Sequence, residues 1–285
     1  MPTVSPEQIH EAVIRALQED APFGDVTTAA LFPDPVPACA VILAKQRLTL
    51  AGLAVAVQTF HEVDSSLTCT EHLSDGSVAR EGEAIFTVTG DARSILRAER
   101  VALNFLQHLS GIATLTSAYC DAIRGYPAKI LDTRKTLPGL RALEKSAVTL
   151  GGGTNHRFSL SDGIMIKDNH IALLAQTGLS LAEGCRRARQ RAPHQLRMIV
   201  EVDALEQTPG ALDGGADVIL LDNMTPADVR GAIDLIKGRA LVEVSGGVTL
   251  ATVRDYAAAG ADFISIGALT HSAPAADISL DLRAT

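Results

Sequence analysis

The segment 198-MIVEVDALEQTPGALDGGADVILLDNM-224 contains the pattern that decides the fold. Two apolar, β-rich runs, 198-MIVEV-202 and 218-VILLD-222, are separated by a helix-like stretch at 203–215. Strands that are apolar at nearly every residue are buried on both faces, which is typical of a parallel sheet covered by helices. The segment therefore predicts a βαβ unit within an α/β fold.

The same alternation extends through the second half of the chain. Further β-rich runs occur at 128–132, 163–167, 241–245 and 263–267. Further helix-like stretches occur at 180–192, 226–237 and 249–260. Six strands in such a series favour a closed α/β barrel, although an open doubly wound sheet has the same rhythm.

The first part of the chain has a different pattern, which predicts a smaller domain made of helices and a small sheet. Ser5 precedes an amphipathic helix whose apolar residues recur at helical spacing. Strands are predicted within 38–50 and 83–89, a helix at 53–63, and a long helical segment at 91–124.

Composition limits the possible partners and compartment. The chain has 285 residues, 47% of them hydrophobic, and a formal net charge of −8. An acidic chain with no basic face is not expected to bind nucleic acid. No secretory signal is found at the start, and no apolar run approaches the roughly 18 residues that cross a bilayer. The four cysteines form no CxxC pair, so we expect a soluble protein of the reducing cytoplasm.

Charged residues or glycines follow all six predicted strands of the second half. In chain order the strand ends are DTRK, KDNH, EVD, LDN, SGG and IGAL. In α/β barrels the active site forms at the carboxyl ends of the strands. The strand ends therefore predict the mouth of an enzyme's active site.

Five cationic or titratable residues lie at these strand ends or beside the glycine run at 151–153. They are Arg134, Lys135, His156, Arg157 and Lys167. Arginine binds carboxylate and phosphate through two parallel hydrogen bonds, whereas lysine acts as a compact charge. Each residue alone is compatible with a surface salt bridge, but the set together predicts a pocket for a substrate with several negative charges.

Three carboxylates follow the neighbouring strands, namely Glu201, Asp203 and Asp222. Glu201 and Asp203 share one face of their strand, because side chains alternate. Mg²⁺ is held by one or two carboxylates together with water and substrate phosphates, so this set indicates a magnesium site. The alternative for Asp203 is a cap on a helix beginning near residue 204.

The last two strands end in 245-SGG-247 and 266-IGA-268. Small residues expose backbone N–H groups that bind phosphate, and barrels commonly place phosphate sites after the last strands. The alternative is that these glycines only form turns. Among the histidines, His10, His61, His72 and His194 lack convergent partners, whereas His108 and His271 are left open.

Seven ordered segments together resemble the quinolinate phosphoribosyltransferase family. They are 131-LDTRKTLPGLRALEK-145, 151-GGGTNHR-157, 166-IKDNH-170, 201-EVDALEQ-207, 219-ILLDNM-224, 243-EVSGGV-248 and 267-GALTHS-272. The resemblance extends from 20-DAPFGDVTT-28 to the last dozen residues.

This resemblance implies a fold and a reaction. The fold is an N-terminal α/β sandwich domain at 1–110, joined by the C-terminal segment 271–285, and an incomplete parallel α/β barrel at 111–270. Such a fold is typical of the type II phosphoribosyltransferases. The reaction is transfer of phosphoribosyl from phosphoribosyl pyrophosphate (PRPP) to quinolinate, giving nicotinate mononucleotide, pyrophosphate and CO₂ in NAD synthesis. A homodimer or higher oligomer with shared active sites is also implied.

Carried over residue by residue, the resemblance assigns roles to specific positions. The quinolinate-binding set is Thr133, Arg134, His156, Arg157 and Lys167, with Arg100 of the partner subunit. The set facing PRPP is Lys135, Glu201, Asp222, Ser245, Gly246, Gly247, Gly267 and Ala268. Lys135, Glu201 and Asp222 are the implied catalytic residues, and Glu201 and Asp222 would hold Mg²⁺ directly or through water. No organic cofactor is expected.

Four alternatives remain open from the residues. A related group found with molybdate-transport genes shares the TRKT and PG features but is expected to lack 166-IKDN-169. A nicotinate-specific phosphoribosyltransferase would bind a monocarboxylate. Lys167 at a strand end would also suit a Schiff-base aldolase. The last alternative is a barrel that binds ligands without catalysis.

Overall fold

The structure is a computed structural model that describes residues 4–284, and these residues form two compact units. The first unit contains the described residues up to Ser117, together with Lys135–Gly152 and the chain from Ala268 onward. The second unit contains Ala118–Arg134 and Gly153–Gly267. Residues 135–152 therefore group with the N-terminal part of the chain, although the sequence places them within the predicted barrel.

Four helices and five strands precede the parallel sheet along the chain. They are α1 Pro6–Asp20, α2 Val26–Leu31, β1 Pro37–Ala44, β2 Leu48–Thr49, α3 Leu53–Val63, β3 Thr68–Glu71, β4 Val78–Ala79, β5 Ala84–Asp91 and α4 Ala92–Ala122. The predicted cap of α1 is confirmed, since the Ser5 side chain accepts a hydrogen bond from the backbone N–H of Gln8. The boundary between the two units at Ser117 falls inside α4.

The remaining elements alternate between strand and helix until the final strand. They are β6 Lys129–Leu131, α5 Arg141–Leu150, β7 Ile164–Ile166, α6 Asp168–Gln176, α7 Leu181–Arg191, β8 Met198–Val202, α8 Thr208–Asp213, β9 Val218–Asp222, α9 Pro226–Ile236, β10 Leu241–Ser245, α10 Val253–Ala259, β11 Phe263–Ser265, α11 Ala268–His271 and β12 Ile278–Ala284. A short 3₁₀ turn, Leu205–Gln207, precedes α8. No helix within residues 4–284 has both the length and the apolar character needed to cross a membrane.

The first unit contains a four-stranded antiparallel sheet in the order β12-β1-β5-β3. Residues of β1 alternate between buried and partly exposed, so one face of the sheet lies on the core. Phe60 of α3 and Phe86 of β5 meet there edge to face, with ring centroids 5.9 Å apart. The C-terminal strand pairs with β1 from Ala44↔Ile278 to Ala38↔Ala284, so the end of the chain completes this sheet.

The second unit contains a six-stranded sheet in the order β6-β11-β10-β9-β8-β7, and all its neighbouring strands are parallel. The order is cyclic and never reverses, which distinguishes it from a doubly wound sheet. The prediction of a closed barrel is wrong, because β6 and β7 are the two edges. On the side of β6 away from β11, Leu131 forms an isolated bridge with Thr154. The incomplete barrel implied by the resemblance is confirmed.

Two aspartates set the start of the parallel strands in the same way. Asp217 precedes β9, donates its N–H to the Met198 carbonyl at 2.9 Å and accepts the Met198 N–H at 2.6 Å. Asp262 precedes β11 and makes the equivalent pair of bonds with Val242, at 2.9 and 2.8 Å. Both aspartates end a Gly-Ala-Asp sequence. This repeated contact fixes the register of neighbouring strands, and their carboxyl ends therefore lie side by side.

Strand and helix bounds agree best where the sequence pattern is continuous. The structure has β8, β9, β10 and α3 at the predicted bounds. The predicted helix at 203–215 is split into the 3₁₀ turn and α8. The alternative role of Asp203 as a helix cap is wrong, since the cap position is Ala204 and no side chain bonds there.

Candidate active site

Most of the predicted site residues lie together in the second unit, at the carboxyl ends of the parallel strands; this side of the sheet is called the carboxyl edge below. Those residues are Thr133 and Arg134 after β6, His156 and Arg157 after the Thr154 bridge, Lys167 after β7, Glu201 in β8, Asp222 at the end of β9, Ser245, Gly246 and Gly247 at the end of β10, and Gly267 after β11. Arg100, Lys135 and Ala268 belong to the first unit.

Asp132 is a buried carboxylate that the sequence did not identify as a site residue. It is fully buried and accepts hydrogen bonds from the Asn155 side-chain amide at 2.6 Å and from the His156 backbone N–H at 2.8 Å. Its own N–H bonds the Thr154 carbonyl at 3.3 Å. Burial of a charge is costly unless hydrogen bonds compensate it, and here they hold the segment after the three glycines against the end of β6. Asp132 therefore positions His156.

The two ring nitrogens of His156 have different contacts. Nδ1 accepts the backbone N–H of Arg157 at 2.6 Å, while Nε2 lies 3.3 Å from the carboxylate of Glu243. Glu243 is itself buried and also accepts a hydrogen bond from the Ser265 hydroxyl. These contacts fix the orientation of the His156 ring.

Arg134 and Arg157 place two guanidinium groups in the same part of the unit. Both side chains are partly buried. Arg157 donates to the Gly163 carbonyl at 3.3 Å and contacts the sulfur of Met165 at 3.4 Å. Burial lowers the pKa of Arg157, and the positive charge of Arg134 lowers it further. Two partly desolvated, mutually repelling cations are stabilised by an anion with more than one negative charge.

Lys167 and Glu201 form a salt bridge between the ends of β7 and β8. The Lys167 side chain is 41% exposed and the Glu201 side chain 14%. The backbone N–H of Lys167 donates to Nδ1 of His170 at 3.0 Å, which fixes the start of α6. Lys167 thus has a carboxylate partner, and Glu201 keeps one oxygen outside this salt bridge.

Four carboxylates line a small cavity of about 80 Å³ at the ends of β8 and β9. They are Asp168, Glu201, Asp203 and Asp222, and the apolar Ile171 and the amide of Gln207 complete the wall. Glu201 in β8 and Asp203 just after it share this cavity, as the alternation of side chains predicts. A concentration of negative charge in a small space favours a cation or sugar hydroxyl groups.

The loop after β10 is a tight backbone turn against the end of β9. Gly246 has φ +92°, and a Cβ there would lie 2.2 Å from the Asn223 side-chain oxygen. Asn223 has φ +56°; its backbone N–H donates to the Ser245 carbonyl at 2.9 Å and its side-chain amide to Asp222 at 2.7 Å. Gly246 is therefore required by close approach as well as by its φ angle. Successive N–H groups in such a turn form a concave site for an anion.

The site residues of the first unit have separate surroundings. Arg100 is exposed on α4, and Lys135 is exposed at the start of the loop before α5. The Lys135 carbonyl accepts a hydrogen bond from the Thr270 hydroxyl at 2.7 Å. Ala268 is the first residue of α11.

Comparisons with known proteins agree with this architecture. The family model described as quinolinate phosphoribosyl transferase, N-terminal domain, matches residues 25–110, and the model of the C-terminal domain matches 112–281. A probable nicotinate-nucleotide pyrophosphorylase [carboxylating] from Bacillus subtilis is 43% identical over 93% of this chain and 90% of its own length. The nicotinate-nucleotide pyrophosphorylase [carboxylating] of Mycobacterium leprae is 42% identical over 95% of this chain and 96% of its own length.

Solved structures show the same fold. The crystal structure of NadC from Streptococcus pyogenes superposes with a TM-score of 0.94 at 41% identity, and the match covers 100% of both chains. The structure of human nicotinic acid phosphoribosyltransferase, at 13% identity and a TM-score of 0.62, shares the fold alone. Because two family models match most of the chain and relatives above 40% identity cover more than nine-tenths of it, the chain belongs to the quinolinate phosphoribosyltransferase family.

Proposed function

We propose that this protein transfers the phosphoribosyl group of PRPP to quinolinate, with loss of CO₂, and so forms nicotinate mononucleotide and pyrophosphate. The observation that carries the proposal is the pair of partly buried guanidinium groups of Arg134 and Arg157 at the carboxyl edge of the parallel sheet, beside a cavity lined by carboxylates. A dianionic acceptor and a sugar donor are the two substrates that such neighbouring sites suit.

Quinolinate has two adjacent carboxylates on a pyridine ring, which match the two cations. Arg134 and Arg157 each bind one of the two carboxylates. Lys167 adds a third positive charge, which the Glu201 carboxylate balances. Thr133 and His156 complete the wall. The role of His156 is to shape the pocket and to hold Arg157 through the backbone N–H.

The chemistry needs positioning and charge stabilisation rather than a protein nucleophile. The pyridine nitrogen attacks the anomeric carbon of PRPP through an oxocarbenium-like transition state while the bond to pyrophosphate breaks. The new N–C bond leaves the ring positively charged. The bond from C2 to its carboxylate then breaks, its electron pair passes to the positively charged ring, CO₂ leaves, and C2 takes a proton from water.

The phosphate groups are proposed to bind where backbone N–H groups are exposed. Ser245, Gly246 and Gly247 form the tight turn after β10, and the 5′-phosphate is assigned to it together with Gly267 and Ala268. The ribose hydroxyls are assigned to Glu201 and Asp222. Lys135 is assigned to the pyrophosphate, where a compact cation assists its departure.

A magnesium ion fits the carboxylate set of the second unit. Within residues 4–284 no three histidine, cysteine or carboxylate side chains are grouped closely enough to hold a metal by themselves. In enzymes whose substrates carry phosphate groups, Mg²⁺ keeps several waters and takes only one or two carboxylates as ligands. Glu201 and Asp222, which line the cavity of about 80 Å³, would supply them. When bound, the ion would neutralise the pyrophosphate charge. Removal of Mg²⁺ with a chelator is expected to abolish turnover, with recovery on addition of Mg²⁺.

A homodimer with shared sites is proposed from the family resemblance and from the exposure of Arg100. Arg100 would serve the quinolinate site of the partner subunit. Mixing Arg100→Ala with Arg134→Ala tests this, because each heterodimer would regain one intact site of two. Statistical mixing is then expected to restore about a quarter of wild-type activity. No recovery in mixed dimers whose exchange is verified by mass spectrometry would contradict sharing.

The alternatives are separated by substrate. Incubation with carboxyl-labelled quinolinate or with nicotinate, each with PRPP and Mg²⁺, is expected to give labelled CO₂ and nicotinate mononucleotide only from quinolinate. Product from nicotinate alone would favour a nicotinate-specific enzyme. Borohydride trapping of a carbonyl substrate on Lys167 would favour an aldolase. Absence of turnover with every substrate would favour a binding protein or the group associated with molybdate transport.

We also propose a cytoplasmic location. All four cysteines are free, and burial raises the pKa of the Cys69 and Cys120 thiols to about 11, as suits unreactive cysteines of a reducing compartment. Cell fractionation with a tagged full-length chain tests the location.

A further inference from the structure

Two features of the first unit take no part in the proposed reaction. One is the segment 141-RALEK-145, which the family resemblance includes without a role. The other is His108, on α4. The structure joins them, since Nε2 of His108 lies 2.9 Å from a carboxylate oxygen of Glu144.

Glu144 uses both carboxylate oxygens while fully buried in α5. One oxygen meets His108, and the other accepts the backbone N–H of Leu137 at 3.2 Å. A buried carboxylate is costly unless its oxygens are bonded, and removal of one partner leaves the other unsatisfied. The carboxylate therefore connects three parts of the unit: α4, α5 and the loop 135–140.

Packing holds the loop 135–140 only weakly. The Leu137 side chain is 44% exposed, and Leu137 and Leu140 line a cavity of about 270 Å³ together with His108. Lys135 and Gly139 are exposed as well. Little apolar surface is buried there, so the position of the loop depends on hydrogen bonds.

Hydrogen bonds attach each of the first three residues of this loop. The Lys135 carbonyl accepts from the Thr270 hydroxyl at 2.7 Å, and the Thr136 hydroxyl accepts from the Arg141 guanidinium at 3.0 Å. The third is the Leu137–Glu144 bond, the one that ends on a buried charge. Hydrogen bonds to charged groups are stronger than neutral ones, and this one ends on a fully buried carboxylate, so its loss would weaken the attachment of the segment.

We infer that Glu144 is a positioning residue that, with His108, holds the loop 135–140 and thereby fixes where Lys135 presents its ammonium group. This inference rests on the proposed role of Lys135 toward the pyrophosphate of PRPP. His108 also lies two helical turns after Arg100, so Glu144 bonds to the helix that carries the second substrate-directed cation of this unit.

The alternative is that Glu144 only stabilises α5. The two roles differ in what a substitution changes. A structural role would lower stability and leave the Michaelis constants alone, or would change the constants for both substrates together. A positioning role through Lys135 acts on PRPP only, and only while Lys135 is present.

Glu144→Gln keeps the size of the side chain but replaces the buried negative charge with a neutral amide, which weakens the hydrogen bond from the Leu137 N–H. We expect the KM for PRPP to rise about tenfold, as expected for loss of a hydrogen bond to a charged group, with less than a twofold change in the KM for quinolinate. In a Lys135→Ala background, Glu144→Gln should have no further effect. His10→Ala is the matched control, because His10 also pairs with a glutamate, Glu62, at 3.2 Å in the same unit.

Hydrogen exchange at the Leu137 amide gives a readout independent of activity. We expect exchange to be at least tenfold faster in Glu144→Gln and His108→Gln than in the wild type and in His10→Ala. Unchanged exchange, or an equal loss of PRPP affinity with and without Lys135, would overturn the inference. If quinolinate is not turned over, the proposed function fails while the exchange experiment still decides whether Glu144 holds the loop.

Discussion

The two sheets bury their strands differently, and that difference decides where functional groups have room. In β1 of the antiparallel sheet, buried and partly exposed residues alternate, so one whole face of the strand is partly exposed. In β9 of the parallel sheet, four consecutive residues are buried and only Asp222, the last, is partly exposed. A strand covered on both faces has room for functional groups only at its ends. The parallel sheet therefore concentrates chemistry at one edge, whereas the antiparallel sheet mainly provides a core.

The largest effect is expected where the parallel sheet presents its buried cations. Arg157→Ala should lower kcat/KM for quinolinate by about a hundredfold or more, as is typical when one partner of a desolvated charge pair is removed. Arg189→Ala is the matched control, because Arg189 pairs with Asp217 at the opposite end of the same sheet, at 2.6 Å. Steady-state kinetics should show no change in the KM for quinolinate in the control. Equal losses of kcat/KM in both variants would show that the carboxyl and amino ends of the strands do not differ in function.

A core substitution in the antiparallel sheet should affect stability instead. Ile42 of β1 is 1% exposed within the apolar core of the first unit. Ile42→Ala is expected to lower the free energy of unfolding by about 3 kcal/mol, because it removes buried methyl groups and leaves a cavity. Urea titration gives the loss, and kinetics at 25 °C should give wild-type KM values. A large rise in KM without loss of stability would contradict the division of roles.

The glycine turn after β10 tests the geometry of the active edge. Gly246→Ala should cost about 2–3 kcal/mol of stability, because a left-handed φ angle adds to the clash with Asn223. Gly215→Ala is the matched control, since Gly215 has φ +82° with no atom within 4 Å of an added Cβ. The control should lose only about 1 kcal/mol. Thermal unfolding compares the two, and equal losses would show that close approach is unimportant.

The smallest effect is expected at the amino ends of the parallel strands, where it appears at acid pH. Burial raises the pKa of Asp217, but hydrogen bonds from Arg189 and from the Met198 N–H outweigh it, so the pKa is lowered overall. At acid pH the folded protein then binds fewer protons than the unfolded chain. The stabilisation that Asp217 provides is therefore present above about pH 4 and is lost as the pH falls. Asp217→Asn should reduce this acid-dependent loss in the free energy of unfolding by less than about 1 kcal/mol. Asp213→Asn, at an exposed carboxylate paired with Arg239, is the matched control.

The strands that were predicted correctly are those whose burial can be recognised from their own residues, whichever strand they pair with. Strands β8, β9 and β10 are apolar along their length, so burial on both faces is visible in the sequence itself. The short strands β3 and β4 and the C-terminal strand β12 were not predicted. β3 is mostly exposed, β4 has only two residues, and β12 forms by pairing with β1 some 240 residues earlier.

The sequence by itself determined the parallel sheet and the residues at its carboxyl edge, because hydrophobic continuity and the residue after each strand are local properties. Only the tertiary structure decided that the sheet is open between β6 and β7, and that His156 lies 3.3 Å from Glu243. It also revealed Asp132, Glu243 and Glu144 as buried carboxylates that position neighbouring groups. Their partners lie up to 87 residues away in the chain (His156 with Glu243), and a buried charge is recognised only by the groups that compensate it.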